Sequence, residues 1–253
     1  MPLTVDTANV ASNSVIGGTT LSLNYVCAAG VNRVLISGGS DSTGGALASG
    51  ITNNGVAALV VPSGGKTNTQ ETVDWYYVDN PPIGASIAAA VTYPTATNAI
   101  ALLVIPLKGA DLTRVPLAGT GTQGVPSANI ACSTPAATAN DIAFAATQNR
   151  GTTQVAGGAP QTNVVTLNGI NASSSYACSS IAGPSAGNFT WTITSGNWSA
   201  IGVTVFGTSG GGGGGSGGLW GGGEGLIGSA ASRGIVGGAT NGLGLWDGVP
   251  GLR

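Results

Sequence analysis

The chain has 253 residues, of which 6% are charged, and its formal net charge is −2. A typical globular protein carries roughly 25% charged residues, so Ser, Thr, Asn and Gln must cover most of the outside, which suits a protein packed among copies or partners. The few Lys and Arg residues are spread singly along the chain, and because nucleic-acid binding needs a clustered basic surface, that function is excluded.

The first 206 residues are predicted to form an all-β domain. Short apolar runs recur about every ten residues between Gly, Asn, Pro and Ser, which is typical of a sandwich. Phe189, Trp191 and Ile193 face one way, and the threonines between them face the other. Asn-Gly pairs at 54–55 and 168–169 predict hairpin turns. The predicted strands are 3–6, 20–26, 33–37, 56–62, 72–78, 85–93, 99–106, 129–133, 141–146, 163–167, 174–179, 189–194 and 200–206.

This pattern predicts a jelly-roll-like antiparallel β-sandwich. In one of its strands Trp75 and Tyr77 alternate with Tyr76. Successive side chains of a strand point to opposite faces, so we expect Trp75 and Tyr77 in the core and Tyr76 outside. An exposed Tyr76 is a candidate for stacking on a sugar ring, the alternative being a place at an edge or a subunit interface.

Three segments, 32–36, 75–84 and 107–116, resemble jelly-roll modules of bacteriophage structural proteins and of secreted bacterial surface proteins. In those modules an N-R-x-L strand is followed by a W/L-Y-x-x-x-x-P-P-x-G turn and later by a G-V-D-x-x-x-P loop. Here Ala110 replaces the valine of the third motif, and Pro116 falls one place later. The resemblance implies an architectural or adhesive domain and brings no catalytic residues with it.

The composition changes abruptly at Gly207, and 21 of the 45 glycines lie at positions 207–253. We therefore divide the chain into a domain at 1–206 and an extended Gly-rich C-terminal tail at 207–253. A flexible linker is the ordinary interpretation of such a composition. Ordering a residue costs about 1–2 kcal/mol of backbone entropy, and Gly lies at the costly end, so any order in the tail requires contact with other surfaces.

The tail contains a repeat. The pattern L-W-x-G-x-x-G-L occurs at 219–226 and again at 245–252. Matching glycines are expected by chance in such a segment, but two Leu-Trp pairs and two returning leucines favour a repeated docking motif over coincidence. Its predicted partner-binding residues are Leu219, Trp220, Leu226, Leu245, Trp246 and Leu252.

Neither a membrane span nor a signal peptide is predicted. The longest apolar runs, at 56–61 and 99–105, are far shorter than the roughly 18 residues of a membrane-spanning helix. Residues 1–6 have neither the basic nor the apolar region of a secretory signal. We therefore expect no membrane association and synthesis in the cytoplasm.

Three cysteines and no histidine limit the available chemistry. Cys27, Cys132 and Cys178 are far apart and form no C-x-x-C pair, which argues against a zinc site and a disulfide framework. We expect buried or half-buried free thiols, one disulfide with a spare cysteine being the alternative. Without histidine, Ser-His-Asp and Cys-His catalysis are excluded.

Paired carboxylates are the remaining route to catalysis, since glycoside hydrolysis needs two of them roughly 5–10 Å apart. No acidic residue of the first 206 lies in a recognisable catalytic setting, and no D-x-D-x-D run predicts a calcium site. We expect a non-enzymatic protein with no cofactor and no metal. The acidic residues considered are Asp41, Glu71, Asp74, Asp79, Asp111 and Asp141.

Sparse charge, the resemblance and the tail together favour a virion structural protein, a bacteriophage capsid decoration or head-fibre component that docks through its tail. Its expected partners are other virion proteins, the major capsid protein above all, and copies of itself, with a trimer as the expected arrangement. It would be made in the host cytoplasm and reside in the virion. The alternative is a carbohydrate-binding adhesin module of a tail fibre or bacterial surface protein, with a glycan as ligand.

Overall fold

The computed structural model describes residues 2–184 and 187–208. Over these residues the predicted all-β antiparallel sandwich is confirmed, since apart from the short 3-10 helix Thr7–Asn9 every regular element is a strand. The strands are β1 (Thr4–Val5), β2 (Ala11–Ile16), β3 (Thr20–Val26), β4 (Val31–Asp41), β5 (Gly50–Asn53), β6 (Val56–Ala57), β7 (Leu59–Thr67), β8 (Glu71–Asp79), β9 (Ser86–Thr92), β10 (Ala99–Lys108), β11 (Leu117–Ala118), β12 (Thr122–Ser133), β13 (Ile142–Asn149), β14 (Gln154–Ala156), β15 (Thr162–Asn171), β16 (Ser174–Ala182) and β17 (Asn188–Val205).

The strands form three antiparallel sheets. The first has the order β1-β10-β4-β8-β7, with β2 also paired to β10. The second has the order β11-β17-β13-β16-β15, with β12 and β14 also paired to β17. The third has the order β3-β9-β5-β6. All register pairs recorded between these strands are antiparallel, which is the sheet type expected of sandwiches.

Three apolar cores separate the layers. The first and second sheets pack through a core that includes Trp75, Leu103 and Phe144. A second core joins the other face of the first sheet to the third sheet and includes Ile36. A third core lies on the far face of the second sheet and includes Trp191. The first and second sheets are therefore covered on both faces.

β17 turns from one layer into the next. Its first half, which carries Phe189 and Trp191, pairs with β12 and β14 over the third core. Its second half pairs with β13, with Val203 opposite Phe144. The two strands predicted at 189–194 and 200–206 are therefore one continuous, bent strand.

The same arrangement of strands occurs twice. In the first half, β10 pairs with β1 and β2 on one side and with β4 on the other, and β8 and β7 follow β4 in the sheet. In the second half, β17 pairs with β11 and β12 on one side and with β13 on the other, and β16 and β15 follow β13. The outer layers correspond too, because β3-β9-β5 matches β12-β17-β14. After β8 and after β16 the sequence has Pro-x-x-Gly, at 81–84 and 184–187. The body is thus a tandem pair of related sandwiches, a division that the sequence analysis did not identify.

Of the two predicted Asn-Gly turns, one is confirmed. Asn54 and Gly55 have φ angles of 51° and 78° and connect β5 to β6. The pair at 168–169 is not a hairpin turn, because it lies inside β15, where the register with β16 shifts between Leu167 and Asn171.

The core between the first and second sheets should dominate the stability of the body. Leu103 is fully buried there, so Leu103→Ala should lower the free energy of unfolding by about 2–5 kcal/mol, through lost burial and the cavity left behind. Leu59→Ala is the control, since Leu59 is 54% exposed, and should change it by no more than about 0.5 kcal/mol. Urea unfolding of both variants measures this, and equal effects would contradict the assignment of this core.

Candidate functional site

The six predicted docking residues of the tail, from Leu219 to Leu252, lie outside the described residues. The other predicted binding residue, Tyr76, lies within them, and its assignment as an exposed stacking residue is wrong. Tyr76 is only 5% exposed and belongs to the core between the first and third sheets. Its hydroxyl donates a hydrogen bond to the carbonyl of Ala48 at 3.4 Å. Alternation correctly predicted that Tyr76 and Trp75 point to opposite faces of the sheet. The face of Tyr76 is nevertheless buried, because the third sheet covers it.

The three segments that carry the family resemblance meet at one end of the body. Asn32 exchanges two hydrogen bonds with the backbone of Ala110, at 2.7 and 3.0 Å. Arg33 binds both carboxylate oxygens of Asp79, at 2.6 and 3.1 Å, and also donates to the carbonyl of Arg114 at 2.9 Å. We call these five residues the end clamp. Their contacts are those of a structural joint between β4, β8 and the loop after β10.

The chain leaves the body beside the end clamp. The guanidinium of Arg114 stacks over the ring of Phe206 at 3.3 Å from its centroid. The Gly207 amide donates to Oδ1 of the buried Asp141 at 3.0 Å, and the Thr208 amide donates to the carbonyl of Gly109 at 2.9 Å. The point from which the tail starts is therefore held by hydrogen bonds to two different loops.

A buried group of charges joins the two sandwiches. Arg150, at the end of β13, contacts Oδ1 of Asp41 at 3.0 Å and Oε1 of Glu71 at 3.3 Å. Asp41 and Glu71 are 1% and 0% exposed, whereas the Arg150 side chain is 31% exposed. One guanidinium thus faces two buried carboxylates across the contact between the sandwiches.

The two carboxylates of this group are not both well stabilised as anions. Burial raises the pKa of Glu71 to about 7; the nearby Asp41 adds to the rise and Arg150 opposes it. A buried carboxyl with a raised pKa is a feature of general acids, but the pocket nearest to it, lined by Asn68 and Asn197, is lined by neither of these carboxylates. We interpret the group as a structural ion pair.

A second buried carboxyl opens onto a pocket. Asp74 is 4% exposed and accepts the Ala48 amide at Oδ2, at 2.9 Å. It lines a pocket of about 380 Å³ on the edge of the first sheet, together with Leu47, Val60 and Trp75. Burial raises the pKa of Asp74 to about 7, and the hydrogen bond from Ala48 opposes the rise. This site combines apolar walls with one carboxylate.

A third site is polar and uncharged. A pocket of about 240 Å³ is lined by Asn68, Thr69, Gln123, Gly124 and Asn197. The Trp198 indole lies directly against Gly124, where any side chain would collide with the ring, and it donates to the Ser127 hydroxyl at 3.1 Å. Amide groups beside an indole are suited to neutral ligands that both donate and accept hydrogen bonds.

The expected free thiols are confirmed. Cys27, Cys132 and Cys178 are unpaired and buried. Burial raises the pKa of Cys27 to about 11 and that of Cys132 to about 12, and it raises that of Cys178 as well. Thiols are the unreactive form of cysteine, so these side chains serve the cores rather than redox chemistry.

Within residues 2–184 and 187–208 no group of three His, Cys, Asp or Glu side chains is arranged to hold a metal ion. Over the same ranges no helix is long and apolar enough to span a bilayer.

No family model matches the chain, and no curated protein matches it either. Its function must therefore be argued from the residues and their geometry.

Glu71 should make the stability of the body depend on pH. Its pKa is raised in the folded protein, so between about pH 4.5 and 7 the folded state binds more protons than the unfolded state, and the free energy of unfolding falls as the pH rises. Asp74 acts in the same direction. The body should be more stable near pH 5 than near pH 8, by an amount on the order of a few kcal/mol.

Glu71→Gln, which cannot ionise, should flatten this pH dependence. Asp111→Asn is the control: Asp111 is an exposed carboxyl whose pKa is lowered mainly by hydrogen bonds from Thr113, so it titrates below this range. Chemical denaturation at a series of pH values measures the slope. A Glu71→Gln protein with the unchanged slope would show that Glu71 does not titrate there.

Proposed function

We propose that this chain is a non-enzymatic structural protein of a virus particle, a bacteriophage capsid decoration or head-fibre component that docks through its C-terminal tail. The observation that carries the proposal is the placement of charge. In the described chain the charged side chains are largely engaged with one another: Arg33 with Asp79, Arg150 with two acids, and Lys108 with Asp6 at 3.8 Å. The outer surface is left mainly to uncharged polar residues.

An uncharged surface favours close packing in an array. A protein free in solution is kept apart from its copies by net charge, whereas this chain has a formal net charge of only −2. Subunits packed side by side avoid the cost of like-charge repulsion and of desolvating ions. The proposed partners are therefore neighbouring copies, in a trimer, and the major capsid protein.

The tail supplies the anchor in this proposal. The tryptophan of each Leu-Trp pair is of a residue type enriched among the side chains that dominate binding at protein–protein interfaces. The hydrogen bonds at Gly207 and Thr208 fix the point from which it starts. Force on a docked tail would therefore act first on Asp141 and on Gly109, which is next to Ala110 of the end clamp.

Replacing both tail indoles tests this function. The full chain with Trp220→Ala and Trp246→Ala should lose at least about tenfold in copies per particle, because two aromatic anchors are removed. Quantitative mass spectrometry of purified particles gives the occupancy. Leu243→Ala is the control, since Leu243 lies in the tail but outside both repeats. Occupancy equal to that of the unmodified chain would refute docking through the repeat.

A carbohydrate-binding module is the second candidate, and the pocket beside Trp198 favours it. Its lining offers amide and hydroxyl groups from Asn68, Thr69, Gln123 and Asn197 and no charge, which suits a neutral sugar. Glycan-array binding by the full chain that is lost in Gln123→Ala would support this function. Equal array signals for the two proteins, or no signal at all, would exclude it at this pocket.

A further inference from the structure

The pocket at Asp74 exists because the edge of the first sheet is irregular. β7 pairs with β8 at Val60 and again at Gly65, and the register shifts between them. A side chain at Gly65 would press on Leu47 and on Oδ1 of Asp74, at 2.9 and 3.0 Å from its Cβ. Glycine at this position therefore keeps the pocket open down to the carboxylate.

One oxygen of Asp74 lacks a hydrogen-bond donor. Oδ2 accepts the Ala48 amide, and no hydrogen bond to Oδ1 is formed by any residue that the structure describes. Asp74 is only 4% exposed, and it lines the pocket, so a ligand that fills the pocket gains most if it brings an N–H or O–H group to Oδ1. The side chains of Leu47 and Val60 favour an apolar remainder of that ligand, and Ser49 and Ser63 add hydroxyl groups to the lining.

The second sandwich has no equivalent carboxylate. The order of strands matches β8 to β16, and aligning the Pro-x-x-Gly segments that follow them places Ala177 at the position of Asp74. The described body therefore offers one such site per chain. Its volume, about 380 Å³, falls in the range of about 300–1,000 Å³ that is usual for ligand pockets.

The tail contains groups with the required chemistry. An indole is an apolar ring whose nitrogen is a donor only, and in each repeat it follows a leucine: Leu219-Trp220 and Leu245-Trp246. We propose that the Asp74 pocket binds a Leu-Trp pair from the tail of a second copy of this chain, with the indole N–H donating to Oδ1 of Asp74. This proposal rests on the proposed function of the tail.

The numbers of pairs and pockets allow exchange between copies. Each tail carries two Leu-Trp pairs, and each described body carries one pocket with a carboxylate. A set of copies therefore holds twice as many pairs as pockets, and in the side-by-side packing of the proposed function every pocket can be filled by the tail of a neighbouring copy. Trp220 follows Thr208 by 12 residues, which span up to about 40 Å when extended.

Cross-linking between two differently labelled full-length chains tests the contact. One chain carries Ser63→Cys at the exposed rim of the pocket, and the other carries Gly221→Cys next to the first Leu-Trp pair. The three natural thiols are buried, so a short bis-maleimide should react mainly with the added ones. A mixture of the two chains should give a cross-linked dimer at several times the yield of either chain alone.

The control places the rim cysteine elsewhere, as Ser173→Cys in the exposed loop between β15 and β16. An equal dimer yield with this control would overturn the proposal. So would a cross-link that forms within a single chain carrying both Ser63→Cys and Gly221→Cys but never between two chains.

Changing the pocket gives an independent measurement. In Asp74→Asn, either orientation of the amide points its NH₂ group at another donor, the Ala48 amide or the indole N–H. Self-association, measured by sedimentation, should therefore weaken at least about tenfold. Gly65→Ala, which fills the pocket without changing charge, should weaken it as well. Asp111→Asn removes the same charge at an exposed loop and should leave it unchanged. Unchanged association in both folded pocket variants would overturn the proposal.

Failure of this proposal and failure of the proposed function can be told apart. If the pocket variants associate normally but Trp220→Ala with Trp246→Ala lowers particle occupancy, the tail docks on a different surface and only the pocket assignment is wrong. If the cross-link forms while that double variant occupies particles normally, the pocket assignment stands and docking to the particle through the repeat is refuted; if the unmodified chain is absent from particles, the virion function fails.

Discussion

The packing of the first sheet against the second organises the whole body, because it buries one face of each and leaves the other faces for the outer layers. Trp75 illustrates how tightly the two sheets are joined: its indole donates to the carbonyl of Ile201 at 3.0 Å across the core. Sheets covered on both sides have little room for charge. The charges that remain between the sandwiches, those of Arg150, Asp41 and Glu71, are accordingly gathered in one place where each faces an opposite sign.

Sequence reasoning located most strands because alternation and turn residues are local signals. It failed at Tyr76 because alternation gives the face of a residue but not what covers that face. The better signal was nearby: residues 99–107 form an almost unbroken apolar run, and β10 is buried on both faces over its length. β4 lies between β10 and β8 and is almost entirely buried as well, so two adjacent strands buried on both faces predict that the neighbouring β8 is covered too.

The contacts that define the candidate sites could not be predicted from sequence, since they join distant parts of the chain. Arg150 and Asp41 are 109 residues apart, and Asn32 and Ala110 are 78 apart. The repeated arrangement of strands could not be predicted either. In the first half the outer layer is a separate sheet that contains β9. In the second half the corresponding layer is formed by the first part of the bent β17, so the two halves have different numbers of strands although the arrangement is the same. The three segments of the resemblance meet in the end clamp, where their residues bind one another.

At the β7 edge of the first sheet, apolar side chains remain exposed. An edge strand with exposed apolar side chains invites pairing with other chains, and Leu59 and Val60 of β7 are 54% and 60% exposed. A register shift between Val60 and Gly65, with Pro62 inside it, interrupts the pairing of this strand, which reduces that tendency without covering the surface. A partner bound at this edge would cover apolar surface and satisfy Asp74 together, so the irregularity that weakens the sheet also gives the edge a defined specificity. Binding there favours one donor-bearing apolar segment over unspecific strand addition.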